Sequence, residues 1–309
     1  MPNATDIVFT TVFTVETLVI IIGNALSIFV FWTQRFHLKE TYFILINLAV
    51  ADLLVGVTEL KVLGSEKIPN LITEAERKGS GGVDPTRAFQ VLSFTTSVFF
   101  LALIALERVF AVLWPLRHRV TSTRAYVCSI AIVWAAGFSM AAISTILPTY
   151  HPEAGKVAAL IVHSCLFISL LVICVSYFTI CNHLRTKTQG IEVHFQSSRE
   201  QNLRLSRTLF IVVAVSLVLW LPAFVIFSIT AFCRRCFPPH LLRSCAAVLH
   251  LASSMVNPFI YSFRMPTFKA ALKKLKRRRR ETIELRTLPG NQERNFDGIS
   301  KATVASHNV

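Results

Sequence analysis

The sequence predicts an all-α membrane protein, a seven-transmembrane helix bundle followed by a short amphipathic helix on the cytoplasmic side. Three observations predict it. Of 309 residues, 53% are hydrophobic and 16% charged, with a mean hydropathy of +0.55, whereas a soluble domain carries about 25% charged residues. Apolar runs of roughly 20 residues, enough to cross a ~30 Å hydrocarbon core, recur near 7–32, 41–63, 86–111, 125–147, 157–181, 208–232 and 241–263. Lys and Arg gather in alternate loops.

Taken in order, residues 1–6 form a short N-terminus carrying the sequon Asn3-Ala4-Thr5, which marks Asn3 for glycosylation if that end lies outside. Segment one has no basic n-region and holds Glu16 and Asn24, which favours a retained span over a cleaved signal peptide. Loop 64–85 is polar and contains Gly79-Ser80-Gly81-Gly82, the composition of a flexible surface loop. Loops 33–40, 115–124 and 182–207 and the tail from 264 carry Arg35, Lys39, Arg117, Arg119, Arg124, Arg185, Lys187 and the run Lys273–Arg280. The basic side faces the cytoplasm, leaving the N-terminus extracellular. The net charge of +15 is therefore mainly a topology signal. The basic run directly follows a span, so anionic lipid, not nucleic acid, is its nearer partner.

The stretch from Glu200 to Arg207 continues the sixth helix below the membrane. Pro266 suits the first turn of a new helix. Phe268, Ala271, Leu272 and Leu275 then alternate at helical spacing with Lys269, Lys273, Lys274 and Lys276, an interfacial amphipathic pattern. The organisation is thus 1–6, a helical region 7–263, a juxtamembrane helix and basic run 264–280, and a polar, disordered tail 281–309. Of seven cysteines, Cys128, Cys165 and Cys174 lie in apolar segments as small hydrophobes, and Cys181 sits at the cytoplasmic face as a free thiol or a palmitoylation site. Cys233 and Cys236 fall in an outer loop where oxidation is permitted. A short disulfide between them is the preferred reading, with Cys245 the rival partner.

Polar interruptions carry the function. Segment one has Gly23-Asn24, and segment two Asn47-Leu48-Ala49-Val50-Ala51-Asp52. Segment three ends in Glu107-Arg108-Val109, followed by Trp114-Pro115-Leu116. Trp134, Tyr177 and Trp220-Leu221-Pro222 follow, then Asn257-Pro258-Phe259-Ile260-Tyr261. Asp52 places a carboxylate near mid-membrane, where an unpaired charge costs at least about 2.5 kcal/mol. Ser97, Asn257 and Asn24 lie at matching depths and could hydrogen-bond it or, with water, hold a sodium ion; a protonated Asp52 without an ion is the alternative.

In this order the motifs resemble the rhodopsin-like (class A) G-protein-coupled receptors, over roughly 7–276. The resemblance implies a plasma-membrane receptor for an extracellular ligand that activates heterotrimeric G proteins and catalyses no covalent chemistry. It implies a switch built from Glu107, Arg108, Tyr177, Trp220, Pro222, Asn257, Pro258 and Tyr261. It also implies a sodium pocket at Asp52, Ser97, Ser253 and Asn257, Ser253 standing where an Asn is commoner. The implied ligand pocket is Gln90, Val91, Phe94, Thr95, Phe224, Phe227, His250 and Leu251. Among departures, Val109 replaces a Tyr, and Asn202 stands where some relatives place an acid facing the Arg. No Cys occupies 148–157 to bridge the second outer loop to segment three.

Gln90 lies about five turns above Arg108, where amine receptors carry an Asp, and a neutral amide cannot pair with an ammonium. From Trp220 to Tyr261 the chain resembles adenosine receptors most, yet Phe227 and His250-Leu251 differ from their ligand residues. Lipid and peptide ligands stay open beside adenosine-like ones. A transporter wants inverted repeats or charged pore rings, and neither is visible. A retinal receptor needs a Lys in segment seven, and 241–263 has none. A non-signalling scaffold, which would not need Arg108, Pro222 and Asn257 in register, is the remaining alternative.

Overall fold

Seven long helices form the body of the protein in a computed structural model that describes residues 4–34, 41–66, 84–186, 196–233, 236, 238–265, 268–274, 277 and 280. They are α1 (Ala4–Gln34), α2 (Thr41–Glu66), α3 (Pro85–Leu113), α4 (Thr123–Tyr150), α5 (Gly155–Thr186), α6 (Gln196–Phe232) and α7 (His240–Arg264). Among the described residues, α1 to α6 are long and apolar enough to cross a membrane. The last helix is as long but more polar, carrying Arg243, His250, Ser253, Ser254 and Asn257. Asn3 and the tail 281–309 lie outside the described residues, as do the side chains of Asn202 and Phe227.

Within 1–265 the helices close a ring: α1 on α2, α2 on α3, α3 on α4 and α5, α5 on α6, α6 on α7, and α7 back on α1. Because α3 also touches α6, it is the central post, and its inward residues from Leu92 to Ala111 are buried. Asp84 caps it by accepting a hydrogen bond from the Thr86 amide at 2.9 Å, with Pro85 at the first helical position. Trp114 ends it, and a short helix, Pro115–Arg119, runs on into the following loop. Large apolar residues such as Ile22, Phe29, Ile132, Phe178 and Val218 are exposed on the helix surfaces, the outward face expected of helices solvated by lipid.

Without an aqueous driving force, such helices associate by close packing and small residues. A Cβ at Gly56 of α2 would lie 2.8 Å from Ile21 Cγ1 and 3.0 Å from Ile20 Cγ2 of α1. Beyond 265 the chain forms a separate unit. Its helical residues 268–274 bury Phe268 and Ala271 and expose Lys269, Lys273 and Lys274.

Gly56→Val is expected to destabilise the purified protein by about 1–3 kcal/mol through overpacking, read as a lowered midpoint of thermal unfolding. Gly64→Val, where an added Cβ meets nothing within 4 Å, should stay within about 0.5 kcal/mol. Equal effects would show that the α1–α2 approach does not depend on Gly56.

Candidate functional site

Asp52 is fully buried on α2. Its Oδ1 accepts from Ser97 Oγ of α3 at 2.8 Å and from Ser254 Oγ of α7 at 2.9 Å, and its Oδ2 accepts from Asn257 Nδ2 at 2.7 Å. Asn257 Oδ1 in turn accepts from Ser216 of α6 at 3.5 Å. Ser253 is not on the carboxylate: its hydroxyl donates to the His250 carbonyl at 2.6 Å, and Ser254, one residue and about 100° further round the helix, takes its place.

Pro258 explains how α1 joins this cluster. Lacking an N–H, it leaves the carbonyl of residue 254 without its helical donor. Asn24 Nδ2 donates to that Ser254 carbonyl at 3.3 Å, while also bonding Ile20 O at 3.0 Å. The approach is possible because residue 23 is glycine: a Cβ there would stand 3.0 Å from Pro258 Cγ. Asn24 does not itself bond Asp52 but reaches the cluster through α7.

Next to Asp52 lies a cavity of about 20 Å³, lined by Ser97, Ser216, Ser253, Ser254, Val98, Trp220 and His250 among others, room for about one water molecule. An aromatic layer lies against it. Phe94 stacks on Trp220 with centroids 5.0 Å apart, Trp220 on Phe224 at 5.3 Å, and His250 meets Phe94 edge-on at 4.7 Å. His163 of α5 extends the layer beside Phe224 and Phe232. Among the described residues, Trp220 Nε1 and His250 Nδ1 are buried without a hydrogen-bond partner.

The residues expected around a ligand divide. Phe94, Phe224 and His250 come together, and Gln90 donates to Glu59 at 3.2 Å on the neighbouring helix. Val91 is half-buried one turn before Thr95 on the same helix. The Thr95 hydroxyl is spent on its own helix, at the Val91 and Leu92 carbonyls. Leu251 is not in the group. It packs with Ile20 and Val55 on the α1–α2 side, because one helical step carries it away from the face that His250 presents.

At the far end of α3, Arg108 is 1% exposed and paired with the Glu107 carboxylate, and it also donates to Thr41 Oγ1 at 2.8 Å. Glu107 Oε1 accepts from Thr41 at 2.9 Å, and His118 Nε2 lies 2.8 Å from the same oxygen. Tyr126 Oη of α4 is 3.1 Å from that ring nitrogen. Thr41, His118 and Tyr126 were not singled out in the sequence, where a Thr opening a helix and a His in a basic loop give no periodic signal. Tyr177 of α5 donates to the Leu209 carbonyl of α6 at 3.3 Å, and Tyr261 packs edge-on against Phe31. Pro222 lies inside α6 two residues beyond Trp220. Cys233 and Cys236 are disulfide-bonded, and Cys245 is an exposed free thiol.

A ring of long, mostly apolar helices around a buried Asp–Asn–Ser cluster, with a buried Glu–Arg pair at the end of α3, is the architecture of a helical membrane protein. The pattern of the "7 transmembrane receptor (rhodopsin family)" matches residues 23–261, and the chain belongs to that family. It is therefore a multi-pass membrane protein and a receptor, not an enzyme. It is 27% identical to the adenosine receptor A2a of Homo sapiens, over 89% of this chain and 73% of the relative. Identity is 25% to the neuropeptide Y receptor type 4 of Mus musculus, over 86% and 78% respectively. It is 26% to the sphingosine 1-phosphate receptor 1 of Danio rerio, over 85% and 76%.

Ser254→Ala is expected to cost about 1.5–3 kcal/mol, since it removes a hydrogen bond from a charged acceptor. Ser253→Ala should cost less than about 1 kcal/mol, since a hydroxyl bonded to its own helix adds little. Unfolding of the two purified variants distinguishes them, and a reversed order would place Ser253 on Asp52.

Proposed function

We propose that the protein is a ligand-gated receptor of the plasma membrane that promotes nucleotide exchange on heterotrimeric G proteins, with α7 as the seventh crossing and the N-terminus outside. The observation that carries this reading is the burial of Arg108, a cation held by Glu107 and Thr41 where a cytoplasmic partner would meet it. A structural arginine at a membrane face would snorkel to water; this one is withdrawn. Release requires the Arg108 contacts to Glu107 of α3 and Thr41 of α2 to break, and the Asp52–Asn257–Ser216 chain ties α2 and α3 to α6 and α7. Pro222 gives α6 a hinge beside Trp220, whose ring forms part of the aromatic floor. A ligand that binds better when Trp220 moves would bias the latched and released states.

The cluster also fits sodium. Asp52, Ser97, Ser254 and Asn257 offer hard oxygen atoms, and Asn24 Oδ1 is a buried acceptor with no hydrogen-bond partner among the described residues. A bound sodium would supply the positive charge that the carboxylate otherwise lacks. For the ligand, the neutral Gln90 amide and the aromatic floor favour a small neutral or lipid-like molecule over an amine, with Glu59 beside Gln90 as an acidic contact. The names of the relatives span adenosine, sphingosine 1-phosphate and neuropeptide Y, at closely similar identity.

Purified receptor in lipid nanodiscs is expected to accelerate guanine-nucleotide exchange on a panel of heterotrimers, and Arg108→Ala to abolish it; no acceleration on any heterotrimer would refute the reading. Raising sodium should lower basal exchange, and Asp52→Asn should remove that response; a full response in the variant would sink the ion site. Asn202→Glu, which puts an acid where some class A relatives carry one facing the Arg, should lower ligand-free signalling. A gain of about 1 kcal/mol corresponds to a fivefold fall while the active state is the minor one. Unchanged basal signalling would show that inactivity is held by packing around Pro222.

A further inference from the structure

Between α3 and α4, at the end of α3 that carries Arg108, lies a cavity of about 200 Å³. We propose that this crevice seats one acyl chain of an anionic phospholipid, whose headgroup rests on Arg117, Arg119 and Arg124 at its rim. The inference goes beyond the proposed function: it needs the chain to cross a bilayer but not to signal.

The crevice follows from side-chain size. Leu103, Leu106 and Phe110 recur along one face of α3 at steps of three and four residues, and α4 meets them with Ala125 and Ser129, one turn apart. Two small residues opposite three large ones leave space unfilled. Tyr126, the bulky neighbour on α4, is fixed at the wall by His118, its hydroxyl 3.1 Å from Nε2. Leu106 is half exposed and Ala125 exposed, so the crevice opens outward. Packed interiors leave few voids larger than a water; a gap of this size on a surface solvated by lipid calls for an occupant.

Wall and rim differ in chemistry. The polar groups of the wall are already bonded within the protein. Ser129 Oγ donates to the Ala125 carbonyl and Thr121 Oγ1 to the Arg117 carbonyl, each at 2.9 Å. The Glu107 carboxylate is taken by Arg108, Thr41 and His118. The crevice therefore offers an occupant mainly hydrocarbon, and its volume falls below the ~300–1,000 Å³ of a pocket for a whole drug-sized ligand. A slim chain whose remainder lies in the membrane fits it. The rim is cationic. Arg117, Arg119 and Arg124 are exposed and form no ion pair among the described residues, and the sequence has no Asp or Glu from 108 to 152. Arg119 and Arg124 flank Thr121, and Arg124 adjoins Ala125, so positive charge stands where a seated chain leaves the crevice. The half-exposed Trp114 at the end of α3 marks the level of the membrane–water interface, where a lipid phosphate lies. Charge complementarity at that level selects an anionic headgroup over a zwitterionic one.

Photolabelling of the full-length protein in phosphatidylcholine nanodiscs tests this. The probe is dilute phosphatidylserine with a diazirine on one acyl chain, and peptide mass spectrometry after illumination locates the label. Label is expected on the α3 and α4 peptides that hold residues 103–110 and 125–129. It should exceed that from a phosphatidylcholine probe by at least about fivefold, the partition one basic side chain gives at an anionic surface. Replacing Arg117, Arg119 and Arg124 together by Gln should remove the excess. Should that variant not be recovered folded, Arg124→Gln alone, at the exposed first turn of α4, must reduce it. Ala125→Leu, which narrows the mouth, should lower labelling of the crevice by both probes and leave label elsewhere unchanged. Equal labelling by the two probes, an excess that survives the arginine replacements, or label confined to 264–280 overturns the inference. Crevice label displaced by excess sterol but not by excess phosphatidylserine assigns the crevice to a sterol and overturns it as well.

Discussion

One carboxylate sets the register of the bundle. Asp52 sits among apolar helices, where an unmatched charge or an unmatched hydroxyl is costly. Three donors converge on it from α3 and α7, and two further bonds bring in α6 through Ser216 and α1 through Asn24. Rotating or sliding any of these helices by one residue would orphan a polar group in a medium without water. The apolar contacts around the cluster are numerous but interchangeable, since neighbouring helices and lipid tails are about equally apolar. The polar cluster therefore decides which of many well-packed arrangements the chain adopts.

A second ionic cluster lies about three turns along α3 and is built differently. Asp52 is satisfied by neutral donors, whereas Glu107 is satisfied by a cation, a hydroxyl and an imidazole. The first arrangement is a tie among helices. The second is a clasp that sequesters a charge which water, or a partner protein, could also solvate. Since α3 carries Ser97 and Arg108 on one continuous helix, a displacement at the first cluster would reach the second without an intervening loop. The aromatic layer of Phe94, Trp220 and Phe224 adjoins the first cluster, so under the proposed function a ligand resting on that layer would act on this cluster first.

The apolar segments were legible because each helix must be long and greasy to cross a membrane, and the described helices begin and end within a few residues of them. Helix α6 starts at Gln196, four residues ahead of the expected continuation from Glu200. Asp52, Arg108 and Asn257 were legible for the opposite reason: polar groups in apolar runs demand partners. Which partner was harder to read. Ser253 and Ser254 are chemically identical neighbours, and only the phase of a helix interrupted by Pro258 decides which faces Asp52. The same one-residue uncertainty moved Leu251 from an expected pocket into the α1–α2 packing. His118 and Thr41 were silent in sequence because a loop and a helix start impose no period, and their role comes entirely from where Glu107 lies in space.

The bond from Asn24 to the Ser254 carbonyl has a mechanical consequence. It splices the backbone gap that Pro258 opens in α7 with a side chain of α1, across the contact that Gly23 leaves room for. The two helices are stitched at the very turn where α7 would otherwise flex, and α2 is pressed against α1 at Gly56. Helices α1, α2 and α7 thereby form a stator. Freedom of movement is displaced to α6, whose own proline lies beside an aromatic ring instead of under a neighbour's amide. Adjacent helices α6 and α7 each carry an interior proline but, by this division, share one joint.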